Sequence, residues 1–331
     1  VEDLAKQEGL VDRYVKEENK EAAVKLLFDL ITTYAEKKDF QKAEHLRDKL
    51  YEVDPLALPE IIKAGEIIEE QKASGIDESH LELWSDLYQA LTSEEGNALY
   101  YAMKEASLRS DEPVFRQGER NSNLYFINEG ELKQVYSQEG REVLLRTFGK
   151  GHIAGDDSFF SNELCTTSLI TLTPVKLNYL EKRVLGDWKE AFPGLESHLS
   201  GYCRKFDKVH DLLKQKDLDR RTQERIHVSG KAVIRIMDKS GALVGKPFKG
   251  QLSDISVGGL AFFIKISKKE TASLLLGRRL SITFPLPGPQ GKAEITQAGT
   301  VVGVRFHTFD DYSIHVRFHE PLSKDRFYSA P

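Results

Sequence analysis

Apolar residues recur at helical spacing without interruption as far as about residue 95, and again only over 195–213. Elsewhere they alternate in short runs closed by glycine, and the alternation returns in every later third of the chain. A period near 3.6 and a period of two cannot share one element. The chain must therefore divide into a helical part and antiparallel β parts, and 331 residues leave room for two or three cores. In the helical part Leu27, Leu30, Ile31 and Tyr34 fall on one face. The face resumes after Lys38-Asp39-Phe40 with Ala43, Leu46 and Leu50, and Pro55 closes the second helix. Two readings of this hairpin stay open: a cap on its neighbour, or a groove for a peptide.

From about 96 to 185 the runs NLYFINEG, ELKQVYSQEG, REVLLRTFGKG and TSLITLTPVKLNYL are punctuated by Gly118, Gly130, Gly140, Gly149, Gly151 and Gly155. That spacing predicts a small antiparallel barrel or jelly roll. Leu195, Leu199, Tyr202, Phe206, Val209 and Leu213 then step by four and three. They predict one long helix over 195–213 with a narrow apolar seam, suited to a homodimer or to packing on the chain's own barrel. The polar stretch LKQKDLDRRTQER reads as a domain boundary. AVIRIM, KGQLSDIS, LAFFIKI, RLSITFPLP, AGTVVGVRF and SIHVRF read as a second antiparallel barrel, with a loop at the prolines 285, 287 and 289.

Composition excludes several classes. Hydrophobic residues at 40% and charged residues at 30% rule out a disordered chain, and no apolar run nears the roughly 20 residues of a membrane span. A net charge of −5 argues against coating nucleic acid, and no helix-turn-helix is visible. Cys165 and Cys203 have no metal-like spacing, and no signal-peptide pattern opens the chain, so a cytoplasmic protein without metal is expected. No nucleophile elbow, HExxH pair or carboxylate pair nominates a catalytic residue. Gly241 to Lys246 is one residue short of a phosphate-binding loop and is read as a hairpin turn.

Two constellations carry chemistry. Arg221 and Arg225 stand four apart, with Arg220 before them, and Asp254, Ser256, Gly258 and Gly259 fall where a strand should turn. RxxxR followed by DxSxxG resembles the signature of the PilZ family over roughly 218–325. The resemblance implies a receptor for cyclic di-GMP. Arginine forks suit its phosphates and guanines, an aspartate suits the guanine N1 and N2 donors, and a serine with two glycines suits a tight turn under the ligand. By the same resemblance Arg221 and Arg225 contact phosphate and guanine, Asp254 a guanine edge, and Arg220 is auxiliary.

Upstream, VFRQGERNSNLYFINEGELKQVY followed by FGKGHIAGD resembles a cyclic-nucleotide-binding domain of the catabolite-activator type. Its phosphate cassette falls on Gly155, Asp156, Thr166 and Thr167. Asp156 is one methylene shorter than the expected glutamate, and the position of the expected arginine falls near Cys165 or Thr166. A phosphate there would be left without a cation, so a scaffold role is expected over cyclic AMP binding. The order Leu27, Leu30, Tyr34, Ala43, Leu50, Pro55 is similar to one tetratricopeptide repeat.

The expected organisation is multidomain α+β. A helical segment spans 1–84, and a cyclic-nucleotide-binding-like barrel with its terminal helix spans 85–213. A PilZ-like barrel spans 214–331. The expected role is a non-enzymatic cyclic di-GMP receptor, with no cofactor and no nucleic-acid or membrane partner. It would rearrange its domains and signal to a downstream protein. Two alternatives remain: an interaction scaffold with vestigial nucleotide sites, and a dual sensor of cyclic di-GMP and cyclic AMP.

Overall fold

The computed structural model describes residues 2–323 except 139, 207, 217, 219–224, 268, 289–290 and 308–310. The chain packs as two units, residues 1–104 with 188–202, and residues 105–187 with 203–331. The first unit therefore runs past the expected boundary at 84 and takes in a later segment.

Helices α1 (Glu2–Lys16), α2 (Lys20–Glu36), α3 (Phe40–Val53) and α4 (Leu58–Ser74) open the first unit. One corner is used twice. Glu18 at φ 56° and Lys38 at φ 60° turn the chain, and the next residues, Asn19 and Asp39, cap the following helix by accepting from the amides of Ala22 and Lys42. Leu27, Leu30, Ile31, Leu46, Leu50 and Ile68 form the core, and Ala43 is fully buried in it, small where α2 and α3 meet. Helices α5 (Glu78–Leu83), α6 (Ser85–Tyr88) and α7 (Ser93–Ala102) follow, α7 opening on a capping box of Thr92 and Glu95. Among the described residues no helix is long and apolar enough to cross a membrane.

Eight strands build the first barrel: β1 (Lys104–Leu108), β2 (Pro113–Phe115), β3 (Asn123–Glu129), β4 (Leu132–Gln138), β5 (Arg141–Phe148), β6 (Ile153–Ala154), β7 (Ser168–Thr171) and β8 (Val175–Glu181), with a short helix α8 (Asp156–Phe159) after β6. They form two four-stranded sheets, ordered β1-β8-β3-β6 and β2-β7-β4-β5, around Phe115, Ile127, Leu132, Phe148, Leu169 and Leu177. Gly130 shows why glycine marks these corners: at φ 87° a Cβ would lie 2.3 Å from the Pro174 carbonyl oxygen.

The expected long helix is three short ones, α9 (Val184–Ala191), α10 (Leu195–Cys203) and α11 (Val209–Gln215). Its apolar positions serve two cores. Leu195 and Leu199 are fully buried in the first unit, where His198 meets the Glu95 carboxylate at 3.1 Å. Val209 and Leu213 pack with Leu212 against Tyr136 and Leu145 of the second. Tyr202 ends the first unit's segment, and Phe206 lies in the turn with its ring 6.0 Å from that of His152. The seam's residues thus divide between two cores of the chain.

The second barrel comprises β9 (Ile226–His227), β10 (Lys231–Met237), β11 (Leu243–Ser256), β12 (Gly259–Lys265), a short helix α12 (Lys269–Ser273), β13 (Arg279–Gly288), β14 (Gly291–Phe306) and β15 (Asp311–Phe318). The ladder runs β10-β13-β14-β15-β12-β11, and β10 also pairs with β11, so six strands close on themselves while β9 is added outside β11. Ile234, Phe262, Leu280, Ile282, Val301 and Ile314 fill the interior. The proline loop is a correction: Pro285 and Pro287 lie inside β13, paired with Glu294 and Lys292 of β14. Pairing of β13 with β10 stops at Thr283, so both prolines sit on an edge where a missing N–H costs no ladder bond.

Candidate functional site

Strand β9 is two residues long, yet it joins the two sequence constellations. His227 pairs with Asp254 and Ile226 with Ile255, and Arg225 immediately precedes the paired residues. From there the Arg225 guanidinium Nη1 donates to Asp254 Oδ1 at 2.8 Å, with Arg225 45% and Asp254 20% exposed. Arg220 and Arg221 lie outside the described residues.

Asp254 is half-buried, and Ser256 is buried beside Ile255 at the end of β11. Ser256 and Gly259 pair across a two-residue turn of Val257 and Gly258, and the Ser256 hydroxyl donates to the Gly259 carbonyl at 3.2 Å. Gly259 has a structural reason that its motif position does not reveal. A Cβ there would lie 2.3 Å from the Val316 carbonyl oxygen, so glycine is what lets β15 approach β12.

Arg225, Ser256, Gly258 and Gly259 line a cavity of about 650 Å³ together with Gly155, Asp157, Thr166, Thr167 and His210. Both barrels of the second unit contribute because the segment 162–164 docks on β14 as a short strand. Val304 N donates to Asn162 O and Leu164 N to Val302 O, both at 3.0 Å, with a β-bridge between Glu163 and Gly303. The Arg305 guanidinium grips Glu163 through Nε at 3.0 Å and Nη2 at 2.6 Å. Asn162 Nδ2 donates to Ser273 Oγ at 3.1 Å, Arg120 donates to the Leu276 carbonyl, and Leu164 enters the core of the second barrel.

Gly155, at φ 89°, precedes α8, which begins with Asp156 and Asp157. The protein packed around this pair raises both carboxyl groups, and the Asp156 charge adds to the effect on Asp157, which is pushed up to about 7; Arg146 opposes both shifts. Thr167 Oγ1 accepts from Gln134 Nε2 at 2.7 Å, and Gln134 Oε1 accepts from Arg146 Nε at 2.8 Å. The cassette's hydroxyl is thus engaged in a relay internal to its own barrel, and two carboxyl groups follow Gly155 at the start of α8.

The PilZ domain family model matches residues 219–326. These residues form a PilZ domain. The cyclic nucleotide-binding domain model matches 105–189, the first barrel. Both are regulatory binding domains. No curated protein matches the chain. Among solved structures, the N-terminal domain of a transcriptional regulator from Streptomyces coelicolor A3(2) is 29% identical over 40% of this chain and 89% of its own, with a TM-score of 0.33. Thermus thermophilus catabolite activator protein is 20% identical over 40% and 60%, TM-score 0.34. The regulatory subunit of a cAMP-independent protein kinase A from Trypanosoma cruzi, bound to guanosine, is 16% identical over 45% and 52%, TM-score 0.36. The chain spans about half the length of that subunit.

Sequence reading of the PilZ domain found Arg225, Asp254 and Ser256 but missed Glu163, Arg305, His315 and Arg317, which share the cavity. The alternation in VRF marks Arg305 and Arg317 as outward-facing. Only the strand register shows which neighbour each faces.

Proposed function

We propose that the PilZ domain binds cyclic di-GMP and that the chain is a non-enzymatic second-messenger receptor. The observation that carries this reading is the Arg225–Asp254 pair, held at 2.8 Å, whose arginine lines a cavity large enough for a nucleotide. Arg225 supplies a planar fork for a phosphate or for guanine O6 and N7. Asp254 accepts from the guanine N1 and N2 donors, and Ser256 with Gly258 and Gly259 forms the turn beneath. Arg221 is the second fork and Arg220 an auxiliary contact. A half-exposed ion pair contributes at most about 1 kcal/mol, so a ligand that engages both partners displaces it at little cost. No cofactor enters this reading, and the receptor acts in the cytoplasm.

The cyclic nucleotide-binding domain serves as scaffold. Its cassette presents Asp156, Asp157 and the engaged Thr167, which disfavours a dual sensor. Ligand held by the arginine motif acts on the segment that joins the barrels, and a downstream protein reads the resulting rearrangement.

Titration calorimetry of the full chain with cyclic di-GMP, cyclic AMP and cyclic GMP tests the proposal. Heat is expected from cyclic di-GMP alone, and Arg225→Ala and Asp254→Ala each remove it. Unaltered binding by both variants would refute the site.

A further inference from the structure

Two arginines of the shared cavity are committed to carboxylates, Arg225 to Asp254 and Arg305 to Glu163. A third, Arg317, is not: among the described residues no carboxylate pairs with it. It lies on β15 between the buried Val316 and Phe318, so its side chain points outward, and its strand partner on β12 is Gly259. Arg317 lines both the main cavity and a smaller adjoining one, each time together with Leu164, Cys165 and Thr166. Those are the cassette positions at which the first barrel has no cation of its own.

We propose that Arg317 is a further ligand-binding residue, which holds a cyclic phosphodiester in the shared cavity against the wall formed by Cys165 and Thr166. The cation that the cassette lacks is supplied by the other barrel, folded against it. This deepens the cyclic di-GMP reading and rests on it, because one phosphodiester engaged at the Asp254 turn leaves the second to be held by another group. A guanidinium beside Gly259 has the charge and the fork for that task. Thr166 lines the same cavity and offers a hydroxyl. The same chemistry would accept a cyclic mononucleotide, so both ligands belong in the test.

The experiment titrates the full chain with cyclic di-GMP and, separately, with cyclic AMP, at two salt concentrations, for the wild type and the variants R225A, R317A and R317K. Loss of one charge-assisted contact predicts cyclic di-GMP affinity lower by about tenfold to a hundredfold in R317A. R317K, which keeps the charge without the fork, is expected to recover part of the loss. The salt dependence of binding flattens in R317A and stays steep in R317K, a readout that a purely structural role would not move. Arg317 is exposed, so thermal melting of both variants should match the wild type; if R317A fails to fold, R317K against wild type decides. Wild-type affinity and salt slope in R317A would overturn the Arg317 assignment while leaving the Arg225 site standing. A wild type that binds cyclic AMP only, with loss in R317A, would sink the cyclic di-GMP reading and keep Arg317 as the phosphodiester ligand. Binding of neither nucleotide overturns both.

Discussion

A single carbon added at position 259 would collide with the main chain of the next strand. Because the obstacle is the Val316 carbonyl and not a side chain that can swing away, Gly259→Ala should cost about 1–3 kcal/mol and lower the melting temperature of the PilZ barrel. Thermal denaturation checks this, and an unshifted transition would mean that β12 and β15 can separate freely. The cavity's titrating groups make a second prediction. Burial depresses His315, and the Arg305 charge adds to it, while Asp157 is raised to about 7. A depressed histidine costs stability as pH falls below about 6.5, whereas a raised carboxyl costs stability as pH rises towards 7. An anionic ligand favours protonated His315 and neutral Asp157 alike, so both shifts act in one direction on binding. Cyclic di-GMP should bind more tightly at pH 6 than at pH 8, with proton uptake, and His315→Ala with Asp157→Asn should flatten the profile. Calorimetry in buffers of different ionisation heat measures the uptake; proton release would contradict the assignment. Arg225, Asp254 and Ser256 were legible because a motif names them. Arg317 was not, because nothing in the spacing of HVRF says that Gly259 stands opposite.

Among the elements, the docking strand 162–164 is the most informative. Glu163→Arg sets two guanidinium groups against each other at Arg305. It should loosen the two hydrogen bonds to β14 without unfolding either barrel. Hydrogen exchange at the amides of Leu164 and Val304 should then accelerate at least tenfold while the core strands keep their protection. Unchanged exchange there would show that Leu164 burial alone holds the segment. All six strands of the closed barrel were visible as alternating runs, because each has one face on the core and one outside. The prolines of β13 misled the reading. Proline forbids a central strand, and only the point where β10 stops pairing reveals that these two lie beyond it. The helix over 195–213 misled for a different reason. Its period was real, but a stripe does not say whether one surface or two will cover it.

At the scale of the molecule, Leu199 separates the two uses of that stripe. It is fully buried within the first unit, so Leu199→Ala should cost about 2–5 kcal/mol in stability and leave the sedimentation coefficient unchanged. A smaller sedimenting species with intact stability would restore the dimer seam. Ligand-driven rearrangement is measured by small-angle scattering with and without cyclic di-GMP, where distinguishable profiles are expected at saturation. The docking of 162–164 also changes what an engineered revival of the first barrel would achieve. Writing the family's arginine back in by Thr166→Arg would not resurrect an independent cyclic AMP sensor. The new charge would arrive beside Arg317, in ground that both barrels already occupy, and like charges would meet across it. A cassette built into the footing of the neighbouring barrel cannot take an arginine without disturbing both.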